Sequence, residues 1–177
     1  MLRLFRRSDR DRAVDELYAT VVAQARLPHF YAAWGVPDTL EGRFEMIALH
    51  AFLLLRRLKA ERQRTAKLAQ AFFDLMFADV DRNLREMGVG DMGVGKRVKA
   101  MAQSFYGRIA AYDTGLAGGD DVLGEALLRN VYRGETPTSG HLALAAYVRR
   151  QAGHLEAQDG TGLMAGRLDF LDPQAAP

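Results

Sequence analysis

Residues 46–55 read MIALHAFLLL, ten consecutive positions at which His50 is the one polar side chain. Ten residues are about half of the ~20 a helix needs to cross a bilayer, so the run is not a membrane span. Placed in a helix from Leu40 to Arg62, it is apolar around most of the circumference. A helix of that kind is covered on several sides and sits at the centre of its domain. Val36-Pro37 disfavours helix just before it, and Asp38 or Thr39 supplies the N-cap. Thr39 does not open a capping box, because the acid needed three residues later stands instead at Glu41.

On the N-terminal side, Pro28 opens a short aromatic turn, HFYAAW, that ends at Gly35. Before it, Ser8 or Asp9 caps a first helix to about Arg26, with Ala13, Leu17, Val21 and Ala25 on one stripe. On the C-terminal side, Leu68, Phe72, Met76, Val80, Leu84 and Met87 mark one face of a helix from about Thr65, ended by Gly88. The next begins near Val94 or Lys96, where Val98, Met101, Phe105, Ile109, Tyr112 and Leu116 keep three-and-four spacing. Gly118-Gly119 breaks it. Asp120 or Asp121 then caps a short helix through Tyr132, and Pro137 with Thr138 or Ser139 opens the last, to about Ala157. No stretch alternates with the period of a strand.

The expectation is therefore one all-α domain, residues 1–159, of six or seven helices around a central apolar helix. Residues 160–177 are a tail rich in Gly, Asp and Pro, either loose or folded back through Leu168, Phe170 and Leu171.

A chain of 177 residues with 49% hydrophobic side chains buries a real core unaided. With no cysteine it has no disulfide framework, thiolate zinc site or cysteine nucleophile, which suits a reducing cytoplasm. A net charge of +2 is too small to imply nucleic-acid recognition. Lysine stands only at Lys59, Lys67, Lys96 and Lys99, so the positive charge is mainly arginine. Either a GC-rich coding bias or arginine's fit to protein and phosphate partners gives that skew. The opening MLRLFRRSDRDR has no apolar h-region and is not read as a signal peptide, so a cytoplasmic location is expected.

GVGDMG at residues 88–93 fits the spelling of a dinucleotide fingerprint, and residues 90–96 fit that of a P-loop. Both need a preceding parallel strand to aim the glycine turn, and here the charged end of a helix precedes them. Arg97 also occupies the position where a P-loop needs Ser or Thr for magnesium. Gly88 reads instead as a helix C′ residue, Gly90 as a positive-φ turn, and Gly93–Gly95 as the lead into a helix. His29, His50, His141 and His154 are scattered without metal-ligand spacing. Asp74, Asp79 and Asp81 lie near Arg82 and Arg85 as ion pairs on one helix. Ser8, Ser104 and Ser139 lack a nucleophile-elbow setting. No catalytic constellation emerges, and neither a cofactor nor a metal is expected.

Two long stretches carry a resemblance. ARLPHFYAAWGVPDTLEGRFEMIALHAFLLLRRL, residues 25–58, and AQAFFDLMFADVDRNLREMGVGDMGVGKRVKAMAQSFYGR, residues 69–108, are similar to the ubiquinol–cytochrome c chaperone family. The resemblance implies an all-helical, non-catalytic assembly factor for the cytochrome bc1 complex. Mitochondrial members hold newly made cytochrome b, working with a small partner protein at the ribosome exit. For this chain it implies cytochrome b or another bc1 subunit as client, with a ribosome or small partner as further contacts. It also implies a place near the cytoplasmic face of the inner membrane. Loops on that face are basic, so an acidic patch of Asp74, Asp79, Asp81, Glu86 and Asp91 would suit them.

The expected partner surface joins Phe30, Tyr31, Trp34, Arg43 and Phe44 to the charged rim Asp74, Asp81, Arg85, Asp91, Lys96, Arg97 and Lys99. The methionines of the Met87–Met92 loop add adaptable apolar surface. The competing possibility is that Phe30, Tyr31 and Trp34 pack inside. A rival function is a helical small-molecule or lipid site for quinone or haem, with His50 facing a pocket between the two central helices.

Overall fold

The computed structural model describes residues 8–134 and 139–174. They form eight helices: α1 (Asp9–Ala25), α2 (Pro28–Ala32), α3 (Leu40–Ala60), α4 (Arg62–Glu86), α5 (Asp91–Ala117), α6 (Asp120–Asn130), α7 (Gly140–Glu156) and α8 (Gly160–Met164). No strand occurs among the described residues, and none of these helices is long and apolar enough to cross a membrane.

The apolar run makes α3 the axis of the molecule, as its pattern predicts. Thr39 caps it by accepting the Gly42 N–H at 3.1 Å. A Cβ on Gly42 would stand 2.0 Å from the Pro37 carbonyl oxygen, so glycine is required where the chain turns back over the first turn. One side of α3 (Met46, Leu49, Phe52, Leu53) packs on Phe30, Tyr112, Leu123, Leu127, Leu144 and Tyr147, from α2, α5, α6 and α7. Its other side (Ala48, Ala51, Leu54, Leu58) meets Leu17, Val21, Leu68, Phe72, Met76 and Phe105, from α1, α4 and α5. Each of these clusters lacks a lid without α3, which is why a helix apolar all round is stable here.

The ends of the other helices follow local chemistry. Ser8 and Asp11 form a reciprocal capping box on α1. Between α3 and α4 stands Glu61 alone, and the Thr65 hydroxyl closes the corner by donating to the Leu58 and Glu61 carbonyls at 2.6 and 3.0 Å. Arg149 of α7 donates to the carbonyls of Gly115, Leu116 and Gly118, holding the end of α5 against the α6–α7 pair.

Two expectations about the glycine-rich stretch are corrected. Gly88 does adopt a left-handed turn (φ 83°), but Gly90 has φ −63° and is the N-cap of α5. Helix α5 starts at Asp91 and not near Val94, and Gly93 and Gly95 lie inside it. Burial of Val94 (0% exposed) and the Arg85–Asp91 ion pair hold this first turn in spite of its glycines. Pro137 and Thr138, expected to open the last helix, and residues 1–7 of the basic N-terminus fall outside the described residues.

Tyr112 is fully buried in the first cluster, yet its hydroxyl finds no hydrogen-bond partner among the described residues. A desolvated hydroxyl of that kind costs about 1–3 kcal/mol. Tyr112→Phe is accordingly expected to stabilise the chain by about 1 kcal/mol, read as a raised urea midpoint at unchanged slope. A lowered midpoint would reject the assignment.

A groove between α3, α4 and α5 as the candidate interaction surface

Three helices meet where the start of α3, the end of α4 and the first half of α5 converge. Leu40, Glu41, Phe44 and Glu45 from α3, Leu84 from α4, Met87 just beyond it, and Arg97, Ala100, Met101, Ser104 and Arg108 from α5 line a groove of ≈ 350 Å³ there, with Arg133. The α5 contributors at 97, 101, 104 and 108 are spaced by four, three and four, one stripe of a helix. Leu40 and Met87 are 52% and 50% exposed. Phe44 and Met101 are half-buried beneath them. An apolar floor thus lies open within a rim of arginines.

One wall is a buried ion pair. Glu45 (7% exposed) accepts two hydrogen bonds from the Arg108 guanidinium, Nε and Nη2 each meeting one carboxylate oxygen. Burial pushes the Glu45 carboxyl above its ordinary range, and the Arg108 hydrogen bonds oppose that rise. The fork geometry fixes α3 against α5 at the rotation that turns Arg97 and Met101 to the groove.

Arg133, on the opposite rim, adopts a left-handed backbone (φ 57°) that is uncommon for a side chain of its size.

A larger hollow of ≈ 690 Å³ is lined by Arg26, Pro28, Tyr31, Ala32, Asp38 and Arg43. Arg43 and Asp38 pair across it at 2.6 Å, and the guanidinium holds the Asp38 carboxyl below its usual range. Three of its six lining residues are charged, two of them, Asp38 and Arg43, satisfied by each other, so this hollow offers an apolar partner less than the smaller groove does.

The residues anticipated as a partner surface do not form one continuous surface. Phe44 and Arg97 line the groove. Asp81, Arg85 and Asp91 form a linked ion-pair chain at the α4–α5 corner, Asp81–Arg85 at 2.6 Å. Lys96 and Lys99 are exposed on α5, one turn beyond that corner, and Asp74 is exposed on α4, accepting from Gln70 at 2.8 Å. Asp79, offered above as part of an acidic patch, is tied up by Tyr18, whose hydroxyl donates to it at 2.8 Å.

The aromatic turn is a correction. Phe30 is 0% exposed and packs edge-on to Trp34 and Tyr147, so it belongs to the core. Trp34 and Tyr31 are half-buried, and Tyr31 donates to the Ala25 carbonyl at 2.8 Å.

His50 does not face an open pocket. It is fully buried, with Nδ1 2.7 Å from the Met46 carbonyl and Nε2 2.8 Å from the Tyr147 hydroxyl. Nδ1 donates and Nε2 accepts, a neutral tautomer with neither nitrogen left to ligate a haem iron. Among the described residues, no three His, Asp or Glu side chains are gathered to hold a metal.

Glu45, Leu84, Met101, Arg108 and Arg133 were not anticipated as site residues. The α5 stripe was readable, but its meeting with the ends of α3 and α4 depends on how three helices pack.

Comparison with known proteins places this architecture. The family model described as ubiquinol-cytochrome C chaperone matches residues 32–170. The ubiquinol-cytochrome-c reductase complex assembly factor 1 of Xenopus laevis is 28% identical over 149 residues, 84% of this chain and 74% of that protein. Its Homo sapiens counterpart is 29% identical over 84% of this chain and 50% of its own length. Protein CBP3, mitochondrial, of Saccharomyces cerevisiae is 27% identical over 82% of this chain and 45% of its own. The chain thus spans about half the length of the human and yeast relatives. The crystal structure of the Cbp3 homolog from Brucella abortus superposes with a TM-score of 0.87 at 39% identity, over 96% of this chain and 94% of that one. With residues 32–170 matched by the family model and 96% of the chain covered by that structure, the chain belongs to the ubiquinol–cytochrome c chaperone family.

Proposed function

We propose that this protein is a non-catalytic assembly factor for the cytochrome bc1 complex, and that the α3–α4–α5 groove docks its client, newly made cytochrome b or another bc1 subunit. The family supports the assembly role, since relatives carry the name of assembly factor for the ubiquinol–cytochrome c reductase complex. The observation that carries the groove is the pair Leu40 and Met87, two large apolar side chains about half exposed beside a floor of Phe44 and Met101. Packing of the chain on itself does not require them there, and a methionine adapts to varied apolar clients. The charged corner of Asp81, Arg85, Asp91, Lys96 and Lys99, with Asp74 beside it, is the rim on which basic client loops, a small partner protein or a ribosome settles. Such clients place the chain at the cytoplasmic face of the membrane that carries the complex.

The test uses Leu40→Glu with Met87→Glu, and separately Arg97→Glu. These positions are exposed, so the free energy of unfolding should change by no more than about 0.5 kcal/mol. Assembled bc1 complex in membranes, measured by its haem b spectrum and native gels, should fall with both variants. Normal levels with both would place the docking surface elsewhere.

A further inference from the structure

Residues 167–172 follow α8 without regular secondary structure and lie against α1, α3 and α7. They are held by side-chain amides reading main chain. Gln158 both donates to the Asp169 carbonyl (2.6 Å) and accepts from the Asp169 N–H (3.1 Å). Two residues on, Gln151 makes the same reciprocal pair with Leu171, donating at 2.8 Å and accepting at 3.1 Å. Gln24 from α1 adds a second donor to the Leu171 carbonyl at 2.9 Å. Alternate residues of an extended chain present N–H and C=O on the same edge, so two glutamines spaced along the α7 end act as the rungs of a partner strand.

The side chains alternate to match. Leu168 and Phe170 turn inward onto the core clusters, and the Phe170 ring stands edge-on to His50 with centroids 5.3 Å apart. Asp169 turns outward, 77% exposed, and meets His154 at 2.9 Å. Leu168, Phe170 and Leu171 remain only half-buried. The contact has the form of peptide recognition by strand addition: main-chain bonds supply affinity, and a pocket for every second side chain supplies selectivity.

We propose that this trough is a peptide-binding site which takes an extended segment of a partner protein carrying apolar side chains two residues apart, in exchange for residues 168–171. Gln24, Gln151 and Gln158 read the incoming backbone, and the floor beside His50 and Tyr147 takes the inward side chains. The resident segment is a competitor in cis, so uptake of a partner segment requires its release. The site is separate from the α3–α4–α5 groove, and the proposal stands or falls independently of the client reading.

The probe is a fluorescein-labelled peptide of residues 166–174, titrated into the full chain and into the full-length Leu168→Ala/Phe170→Ala variant while anisotropy is read. The variant keeps the trough and loses its competitor's grip, so it should bind at least about tenfold more tightly than the unaltered chain, as expected when a tethered ligand at millimolar effective concentration is weakened. Adding Gln151→Ala and Gln158→Ala should abolish binding, and a peptide carrying Ala in place of Leu168 and Phe170 should not bind. Absence of binding by a folded variant up to about 1 mM, the range of that effective concentration, overturns the proposal. Should the variant fail to fold, hydrogen exchange on the unaltered chain decides. Amides of residues 169 and 171 should open at least about a hundredfold faster than the α7 core, as a locally released segment does. Exchange of both only with global unfolding overturns the idea. Dimers of the unaltered chain formed by trading this segment would name a second copy as the occupant, and would also overturn it.

Discussion

Arg108→Ala is expected to destabilise the chain by about 3–5 kcal/mol, because it leaves the Glu45 carboxylate buried without its partner. Glu45 is 7% exposed and its oxygens are both engaged by the one guanidinium. In water each oxygen would be solvated, and without Arg108 only the more distant charge of Arg133 opposes the cost of burial. Glu45→Ala should cost somewhat less, since the Arg108 side chain is 17% exposed and its long stem lets the charge reach solvent. Replacing the pair together, Glu45→Leu with Arg108→Met, should be close to neutral, because two apolar groups of similar volume need no desolvation. Urea unfolding of the two singles and the double forms a cycle that isolates the coupling. A loss below about 1 kcal/mol for Arg108→Ala would place the pair in the class of surface ion pairs and reject its role as the joint between α3 and α5. The apolar double has a second use. It keeps stability while removing the fork that sets the rotation of α5, so reduced client binding in that variant would separate the pair's geometric role from its energetic one.

The same pair shows where sequence reading stops. Glu45 and Arg108 are 63 residues apart, each on a helix face that local spacing reads as ordinary amphipathic surface. A charge inside an apolar face is visible in sequence, and its partner on another helix is not. Leu40 and Met87 pose the converse difficulty. An apolar residue at a helix end looks the same in sequence whether a neighbour covers it or leaves it half exposed. The aromatic turn was ambiguous for that reason as well. HFYAAW has the composition of a contact surface, yet Phe30 is enclosed by Trp34, His50 and Tyr147. Arg97 and Phe44 stand in the two long matching stretches, and the structure brings those two into one groove.

The fold was more legible, and for an identifiable reason. The run at residues 46–55 admits a helix buried all round and little else, and the stripes at three-and-four spacing in its neighbours supply the faces that bury it. Thr39, Ser8 and Gly88 mark ends through chemistry that acts over three or four residues. Helix α5 escaped that logic. The four glycines of GVGDMGVG argue against helix before Val94, but Val94 is fully buried, and tertiary packing outweighs a propensity cost of about 1 kcal/mol for each of Gly93 and Gly95, the two inside α5. Residues 160–164 escaped it too. Their helix α8 is a single turn capped by Asp159, whose carboxylate accepts the Gly162 N–H at 3.0 Å, and no periodicity develops in five residues.

Acidification should weaken the fold through His50, in a window that the geometry sets. Burial pushes the imidazole pKa down from 6.5 to about 4, with the Met46 carbonyl only partly opposing. The neutral ring already uses both nitrogens, and a second ring proton would face the Tyr147 hydroxyl, which donates to Nε2 and itself accepts from Gln24 at 2.9 Å. Protonation therefore turns one donor against another inside an apolar shell that includes the rings of Phe30 and Phe170. The sign follows directly. Between pH 6.5 and 4 the unfolded chain binds the proton and the folded chain does not, so stability falls as pH falls through that window. No penalty applies above the unfolded value, and the full one, about 3 kcal/mol at 1.36 kcal/mol per unit, is reached below the folded value. Asp38, held below its usual range by Arg43, titrates beneath this window, while Glu45, raised by burial, titrates within it and opposes the loss. The histidine's share is therefore read as the difference between the unaltered chain and a His50 variant. Unfolding free energies measured from pH 7.5 to 4 in the unaltered chain and in His50→Gln should diverge in slope, the variant being less stable at neutral pH but flatter in acid. Parallel curves would mean that His50 takes up its proton in place, which requires the Tyr147 hydroxyl to rotate and become the acceptor, and would remove the histidine from the account of acid sensitivity.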